Sequence, residues 1–340
     1  MAATGRLRSF LDGIEAWQRH PHRRAMPEPS VLWQEGGARL LDFGGDGPAI
    51  VAIPSLINRA YILDLGPETS LMRFLARSGL RALLLDWGLP GPAESGFDLT
   101  AYYDLRLAPA LAAAQSLGRP LALLGYCMGG ALAVAAAQLQ GPRIARIALI
   151  GTPWSFAGGT GSALMLRGLA REYGLDRAAH YFMGLDQAFG AVPYDFIQLL
   201  FALLDPGLAL AKFRRFAALD PASAAARRFV EVEDWLNDAV PLTGPAAVEM
   251  LLDWQVRNLT GAGEWRLAGQ RIRPETLRLP ALAFCSAIDR IAPPEATEAL
   301  PRAIPGARIL RPGTGHVGMI VGRRARSQVW DPLRDFLAGA

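Results

Sequence analysis

A cysteine held between small residues, where a strand-like run turns into a helix, is the most chemically pointed feature of this sequence. The octapeptide Leu123-Leu124-Gly125-Tyr126-Cys127-Met128-Gly129-Gly130 enters as an apolar run and leaves as an alanine-rich helix. So sharp a turn strains its central residue, and flanking glycines let neighbouring backbones pass closely. The helix that follows would aim its positive dipole end at the sulfur and favour thiolate, while the Met128 N–H would face a developing oxyanion. The plain alternative is a structural cysteine beside a glycine-rich turn, because free cysteine is among the most buried residue types.

A nucleophilic thiol needs a base, and the base needs a carboxylate to orient it. Of the four histidines, His20 and His22 lie in an arginine-rich N-terminal segment and His180 in helical sequence. That leaves His316, in the turn Gly313-Thr314-Gly315-His316-Val317-Gly318 just past a strand. Asp289 follows the strand-like Ala281 to Ser286 and opens the turn Asp289-Arg290-Ile291-Ala292-Pro293-Pro294. Chain order is then nucleophile, acid, histidine, each at a strand's C-terminal end. Taken singly, an aspartate before Pro-Pro is as readily a turn former, and a histidine between glycines as readily structural. Asp86 is an alternative acid, although the following Trp87-Gly88-Leu89-Pro90 reads as a structural loop. Cys285 lies within a strand and is expected to pack in the core. Leu56 or Ile57, in the turn Pro54-Ser55-Leu56-Ile57-Asn58, would give a second oxyanion N–H.

The elements that must position these groups alternate. Val31 to Gln34 and Ala38 to Phe43 flank Gly36-Gly37 as a hairpin, and Ala49 to Ile53, Arg81 to Asp86, Leu121 to Tyr126 and Ile144 to Ile150 read as buried strands. Helical patterns fall between them at Ser70 to Ser78, Ala101 to Leu117 (bent at Pro109) and Gly129 to Leu139. From Thr152 to about Leu277 the strand signal nearly vanishes, and helical, aromatic-rich sequence with breaks at Gly158-Gly159, Pro206-Gly207 and Pro241 takes over. Strand signals return with Ala281 to Ser286 and Ala307 to Leu310, before a last helix at Val329 to Leu337. The expected architecture is α/β, a mostly parallel sheet flanked by helices. Its expected divisions are an N-terminal helical segment over 1–29, a core over 30–151 and 278–340, and an inserted helical cap over 152–277.

Composition narrows the function classes. At 340 residues, 51% apolar and 19% charged, the chain can bury enough surface to fold. The net charge of +4 comes from arginines scattered along the chain beside a single lysine, Lys212, and no basic run with interleaved aromatics marks a nucleic-acid binder. Two cysteines without companions at short spacing form neither a zinc site nor a disulfide scaffold, so a reducing cytosol is the expected compartment. The N-terminal stretch lacks a secretory pattern, and the most apolar segment, Phe196 to Leu210, is broken by Asp205-Pro206-Gly207 and falls short of a membrane span.

With these residues in place, the sequence resembles the polyhydroxyalkanoate synthases, cysteine-dependent polymerases of the α/β-hydrolase fold. Beyond the elbow, the likeness includes Leu56 through Leu65 with Pro67 and Ser70, Asp86-Trp87-Gly88, Trp235-Leu236-Asn237-Asp238, Trp254 through Asn258, and Leu267 through Ile272, in order over roughly residues 48 to 335. The resemblance implies Cys127 as the acylated nucleophile, His316 as general base and Asp289 as its orienter or activator. It implies (R)-3-hydroxyacyl-CoA and a growing polyester as substrates, with no metal or organic cofactor. It also implies a second synthase subunit or a homodimer as partner, and polyester granules as a location. Arg59, Arg214 and Arg215 are candidates for the CoA phosphates. Ser155 stands where the family leads one to expect an acidic residue, and Gly158 to Phe229 matches only vaguely. Two other functions fit the same residues: a thiol-dependent hydrolase of acyl-CoA or polyester, if water reaches the acyl-enzyme, and a noncatalytic granule- or partner-binding homologue. The Phe196 to Phe201 stretch would contact polymer, a subunit or the core.

Overall fold

Apolar runs too short for helices and too apolar for one-sided strands must be covered on both faces, and this governs the architecture. In a computed structural model, which describes residues 2–158, 162–202, 207–238 and 240–339, ten strands form. They are β1 (Ser30–Glu35), β2 (Ala38–Asp42), β3 (Ala49–Ile53), β4 (Arg81–Asp86), β5 (Leu121–Tyr126), β6 (Ile144–Ile150), β7 (Arg266–Leu267), β8 (Gln270–Arg271), β9 (Ala281–Phe284) and β10 (Arg308–Leu310). Eight of them make one sheet in the order β1-β2-β4-β3-β5-β6-β9-β10. The hairpin strand β2 runs antiparallel to β1 and β4, and from β4 onward every pairing is parallel. This is the mostly parallel α/β sheet expected from the alternation, in the fold that the resemblance implies.

The period of two along each strand sorts side chains into two cores. Val51, Ile53, Leu83, Leu85, Leu121 and Leu123 face one layer; Ile50, Ala52, Ala82, Leu84, Ala122 and Leu124 face the other. Gly129–Gln140 covers the first layer, and Leu71–Arg77 with the C-terminal Asp331–Ala338 covers the second. Truncating a buried leucine such as Leu84 to alanine would cost about 2–5 kcal/mol. Ser70 caps its helix by accepting from the Arg73 N–H at 3.0 Å.

Between β6 and β9 the described residues are mainly helical: Ser162–Tyr173, Leu175–Phe189, Tyr194–Ala202, Leu208–Ala217 and Ala224–Asn237. Gly159 and the Asp205-Pro206 part of the expected breaks lie outside the described residues. The two-stranded β7–β8 hairpin in this region carried too short a pattern to be expected. The N-terminal helix Ala2–Gln18 packs on Leu208–Ala217, where Phe10 and Trp17 meet Phe213 at ring distances of 6.1 and 5.8 Å.

The helix expected to bend at Pro109 is irregular earlier, as a π-helical turn over Tyr103–Leu107 between Leu99–Tyr102 and Ala108–Gln115. Pro109 lies inside this continuous helical run, where its missing N–H and its ring disturb the carbonyl of Leu105, so the distortion falls in the turn just ahead of it. No helix among the described residues is long and apolar enough to cross a membrane.

Candidate active site

The elbow at the end of β5 is built by what its glycines allow. Cys127 has φ +54°, a left-handed conformation costing a non-glycine residue about 1–3 kcal/mol. The conformation is held from both sides, because the Cys127 N–H donates to Ile150 O at 2.9 Å and the Cys127 carbonyl accepts from the Gly130 N–H at 3.0 Å. A Cβ on Gly125 would collide with the Gly130 backbone, one on Gly129 with the carbonyls of Ile53 and Pro54, and one on Gly130 with the Thr152 side chain. The three glycines therefore let the helix Gly129–Gln140 start against β3 and β5, with Cys127 at its N-terminal end.

Asp289 lies in the turn after β9 and is buried. Its Oδ1 accepts from the Ile291 and Ala292 N–H groups, both at 2.9 Å, which leaves Oδ2 to pair with His316 Nδ1 at 2.7 Å. The His316 loop after β10 is tied to the Asp289 loop by fully buried Ser286, whose hydroxyl donates to Thr314 O at 2.6 Å and accepts from the Ile288 N–H. Burial alone would strip the proton from the His316 imidazole. The Asp289 carboxylate and the Cys127 sulfur outweigh it and push the pKa up to about 10. The far ring nitrogen, Nε2, is buried and makes no hydrogen bond of ordinary geometry. Besides Asp289, Cys127 is the group that acts on this ring. The three residues picked from chain order thus converge. A carboxylate fixes Nδ1–H, the imidazole carries a proton through the neutral range, and the Cys127 sulfur acts on the same ring, an arrangement suited to a thiolate nucleophile and proton shuttle.

Residues that spacing did not single out complete the surroundings. Tyr126 stacks on the His316 ring, with centroids 5.3 Å apart and planes at 30°. Gly151, at φ +56° after β6, leaves room for the same ring, because a Cβ there would be 2.9 Å from His316 Cε1. A cavity of about 670 Å³ opens on Cys127 and His316 and is lined largely by apolar side chains of the helices between β6 and β9. Met128 and Ile57 line it and Leu56 does not. The Ile57 N–H is engaged by Ser55 Oγ at 3.1 Å, so a second oxyanion donor there would share its hydrogen with that hydroxyl.

Arg59, Arg214 and Arg215 are not among the lining residues. Arg59 pairs with Asp238 at 3.1 Å, and the other two are exposed, whereas Lys212 and Arg290 do line the cavity. Asp86 is bound to Arg39 at 2.8 Å and caps the Gly88 N–H, a structural role. Cys285 is buried in the core, and burial pushes its thiol pKa up to about 11. In the Tyr194–Ala202 helix, Ile197 and Leu200 are buried and line the cavity while Leu199 is exposed; the Phe201 side chain lies outside the described ones. Among the described residues no group of three or more His, Cys, Asp or Glu side chains gathers to hold a metal ion.

A mostly parallel sheet with a tight strand-to-helix elbow at Cys127, and an aspartate and a histidine after later strands, defines a class. Residues 48–323 match the family model described as the alpha/beta hydrolase fold, and the chain belongs to that family. Solved structures agree on the fold: an alpha/beta hydrolase fold protein from Nakamurella multipartita (TM-score 0.52, 19% identity, 92% of this chain and 100% of that one) and a bromoperoxidase from Bacillus anthracis (0.52, 15%, 88% and 95%).

Within the class, the sequence is similar to curated proteins named "Poly(3-hydroxyalkanoate) polymerase subunit PhaC". The relative from Haloferax mediterranei is 28% identical, covering 91% of this chain and 63% of the relative; that from Haloarcula marismortui is 27% identical, covering 90% and 66%. The relative from Allochromatium vinosum is 24% identical over 85% of this chain and 80% of its own length. The chain thus spans slightly under two thirds of the first two relatives.

Proposed function

We propose that this protein is an acyltransferase that polymerises (R)-3-hydroxyacyl-CoA into polyhydroxyalkanoate through an acyl-enzyme on Cys127. The observation that carries the reading is the buried Asp289–His316 pair, whose ring also interacts with Cys127 beside a largely apolar cavity. The names of the relatives support the substrate class.

In the first half-reaction the Cys127 sulfur attacks the thioester carbonyl, and the oxyanion is met by the Met128 N–H with help from the Leu56–Ile57 turn. The carbon–sulfur bond to CoA then breaks, and His316 protonates the departing thiolate. In the second, His316 takes the proton of an incoming hydroxyl, whose oxygen attacks the enzyme thioester. The Cys127–acyl bond breaks, an ester forms, and sulfur and imidazole return to their starting states. Asp289 keeps Nδ1 protonated so that Nε2 faces the reaction throughout. Neither half-reaction as written calls for a metal or organic cofactor. The word "subunit" in the relatives' names supports a partner chain or a second copy, and the reading places the work in the cytoplasm, at the surface of the growing polyester granule.

The test supplies purified protein with 3-hydroxybutyryl-CoA and follows CoA release, insoluble polyester and free hydroxyacid, in the wild type and in Cys127→Ala. Polyester from the wild type and none from the variant is expected. Free acid alone would mark a thioesterase, and equal acyl labelling of both proteins would remove Cys127 from the mechanism.

A further inference from the structure

The chain's single lysine is not on its surface rim but in the wall of the catalytic cavity. Lys212, on helix Leu208–Ala217, donates to Glu233 Oε2 at 2.6 Å; Glu233, on helix Ala224–Asn237, is 3% exposed and lines the same cavity as Cys127 and His316. Around the pair the wall is Ile197, Leu200, Val232, Trp235 and Leu236. The ammonium lies 5.2 Å from the centre of the Phe213 ring, on the side where the N-terminal helix packs. An ion pair in such a wall is not needed for stability, because well-packed apolar residues of the same volume serve a fold as well or better. The mechanism above makes no use of it.

We propose that Lys212 and Glu233 together determine specificity, reading an oxygen function carried along the acyl chain. The inference rests on the acyl-transfer reading and deepens it. Lysine has three donors and the bond to Glu233 uses one, so a carbonyl or hydroxyl oxygen in the cavity can accept another. The carboxylate can accept from a hydroxyl. A hydroxyacyl or ester-bearing chain therefore offers the pair hydrogen bonds as it fills the cavity, whereas a plain alkyl chain of equal length covers the pair and offers none. Sites that hydrogen-bond a substrate oxygen discriminate far more strongly against its absence than apolar pockets do against an added methylene.

The experiment compares 3-hydroxybutyryl-CoA with butyryl-CoA in the full chain, reading the single-turnover burst of CoA, and in Cys127→Ala, reading binding of both thioesters by calorimetry. The wild type is expected to acylate at least about tenfold faster with the hydroxyacyl thioester. The double variant K212M/E233M, with both charges replaced at similar volume, is expected to bring the ratio to within about twofold of unity by slowing one substrate and speeding the other. The near-isosteric Glu233→Gln is expected to lose the preference several-fold and serves if the double variant does not fold. An unchanged ratio in a folded variant overturns the proposal. If the wild type released CoA from neither thioester, the acyl-transfer reading would fail. Binding to Cys127→Ala would still decide the role of the pair, because a hydroxyl preference abolished by K212M/E233M supports it and equal binding of the two thioesters rejects it.

Discussion

The Tyr126 ring lies against the His316 imidazole, centroids 5.3 Å apart, and its hydroxyl is buried without a partner. Burial holds that phenol well above its usual pKa, so it stays neutral and offers the imidazole a flat surface and no charge. Tyr126→Phe should therefore keep thioester turnover within about threefold and raise stability by up to about 1–3 kcal/mol, since an unpaired buried hydroxyl is removed. Tyr126→Ala should cost about 3 kcal/mol or more and most of the activity. Thermal melts beside turnover assays separate the two; a large rate loss in the phenylalanine variant would give the hydroxyl a direct part in the chemistry.

Gly151 sets the position of the same ring from below. An alanine there would put a methyl carbon 2.9 Å from His316 Cε1 and 3.0 Å from Nδ1, at a φ of +56° that also strains any L side chain. Gly151→Ala is expected to lower kcat on the order of 100-fold by displacing the base. The fold should lose only about 1–2 kcal/mol of backbone strain. Wild-type kcat in this variant would show that the ring tolerates displacement.

The His316–Asp289 pair has a stability signature in pH. The ring's pKa rises from 6.5 in the unfolded chain to about 10 in the folded one, so the folded state holds its proton more tightly. The resulting stabilisation is complete below about pH 6.5 and drains away as pH climbs toward 10. Denaturant midpoints at pH 6, 8 and 10 should fall more steeply for wild type than for Asp289→Asn. That variant should also be slower in turnover by a factor on the order of 100 or more, through a mis-set tautomer. Parallel pH curves would detach the pair from both effects.

Glu249 behaves in a related way for a different reason. Burial, with Asp98 and Asp253 nearby, pushes its pKa up to about 8, and its Oε2 has no partner. A carboxyl raised in the folded state contributes fully below its ordinary pKa of 4.5 and becomes a liability as pH rises through 8. Glu249→Gln is expected to stabilise the protein at pH 9 by about 1–3 kcal/mol and to change little at pH 5. Equal melting temperatures at pH 9 would mean that water or rearrangement already satisfies the carboxylate.

At pH 7 the thiol itself can report its neighbour. Replacing His316 with Gln should slow alkylation of Cys127 by iodoacetamide on the order of tenfold or more, because only a few per cent of an unassisted thiol is ionised there. Cys285, buried just past the end of β9, should remain unlabelled in both proteins until they unfold.

Strands and elbow were legible because their signals are local. Ala49–Ile53 and Leu121–Tyr126 read as buried from their own residues, and Gly125, Gly129 and Gly130 announce a tight crossing. The order of Cys127, Asp289 and His316 was legible because each follows a strand in chain order. Ser286, Gly151 and the Lys212–Glu233 pair were not, since each matters through a partner distant in sequence: Thr314 O, the His316 ring, and a helix on the far side of a turn. The same limit applies to the arginines, whose number hid which of them face the cavity. Pro109 was legible as the disturbance in its helix, while the exact turn that absorbs it, Tyr103–Leu107, was not.

The β6–β9 ladder joins Ile147–Ile150 to Ala281–Phe284 across the whole helical segment between them. During synthesis the sulfur's half of the sheet can zip up from neighbouring hairpin and crossover units, while its proton acceptor is still unmade. Cys127 and His316 meet only once that distant seam closes, and pairing across so long a separation in sequence is entropically demanding. A nascent or partly unfolded chain thus carries the sulfur without its imidazole.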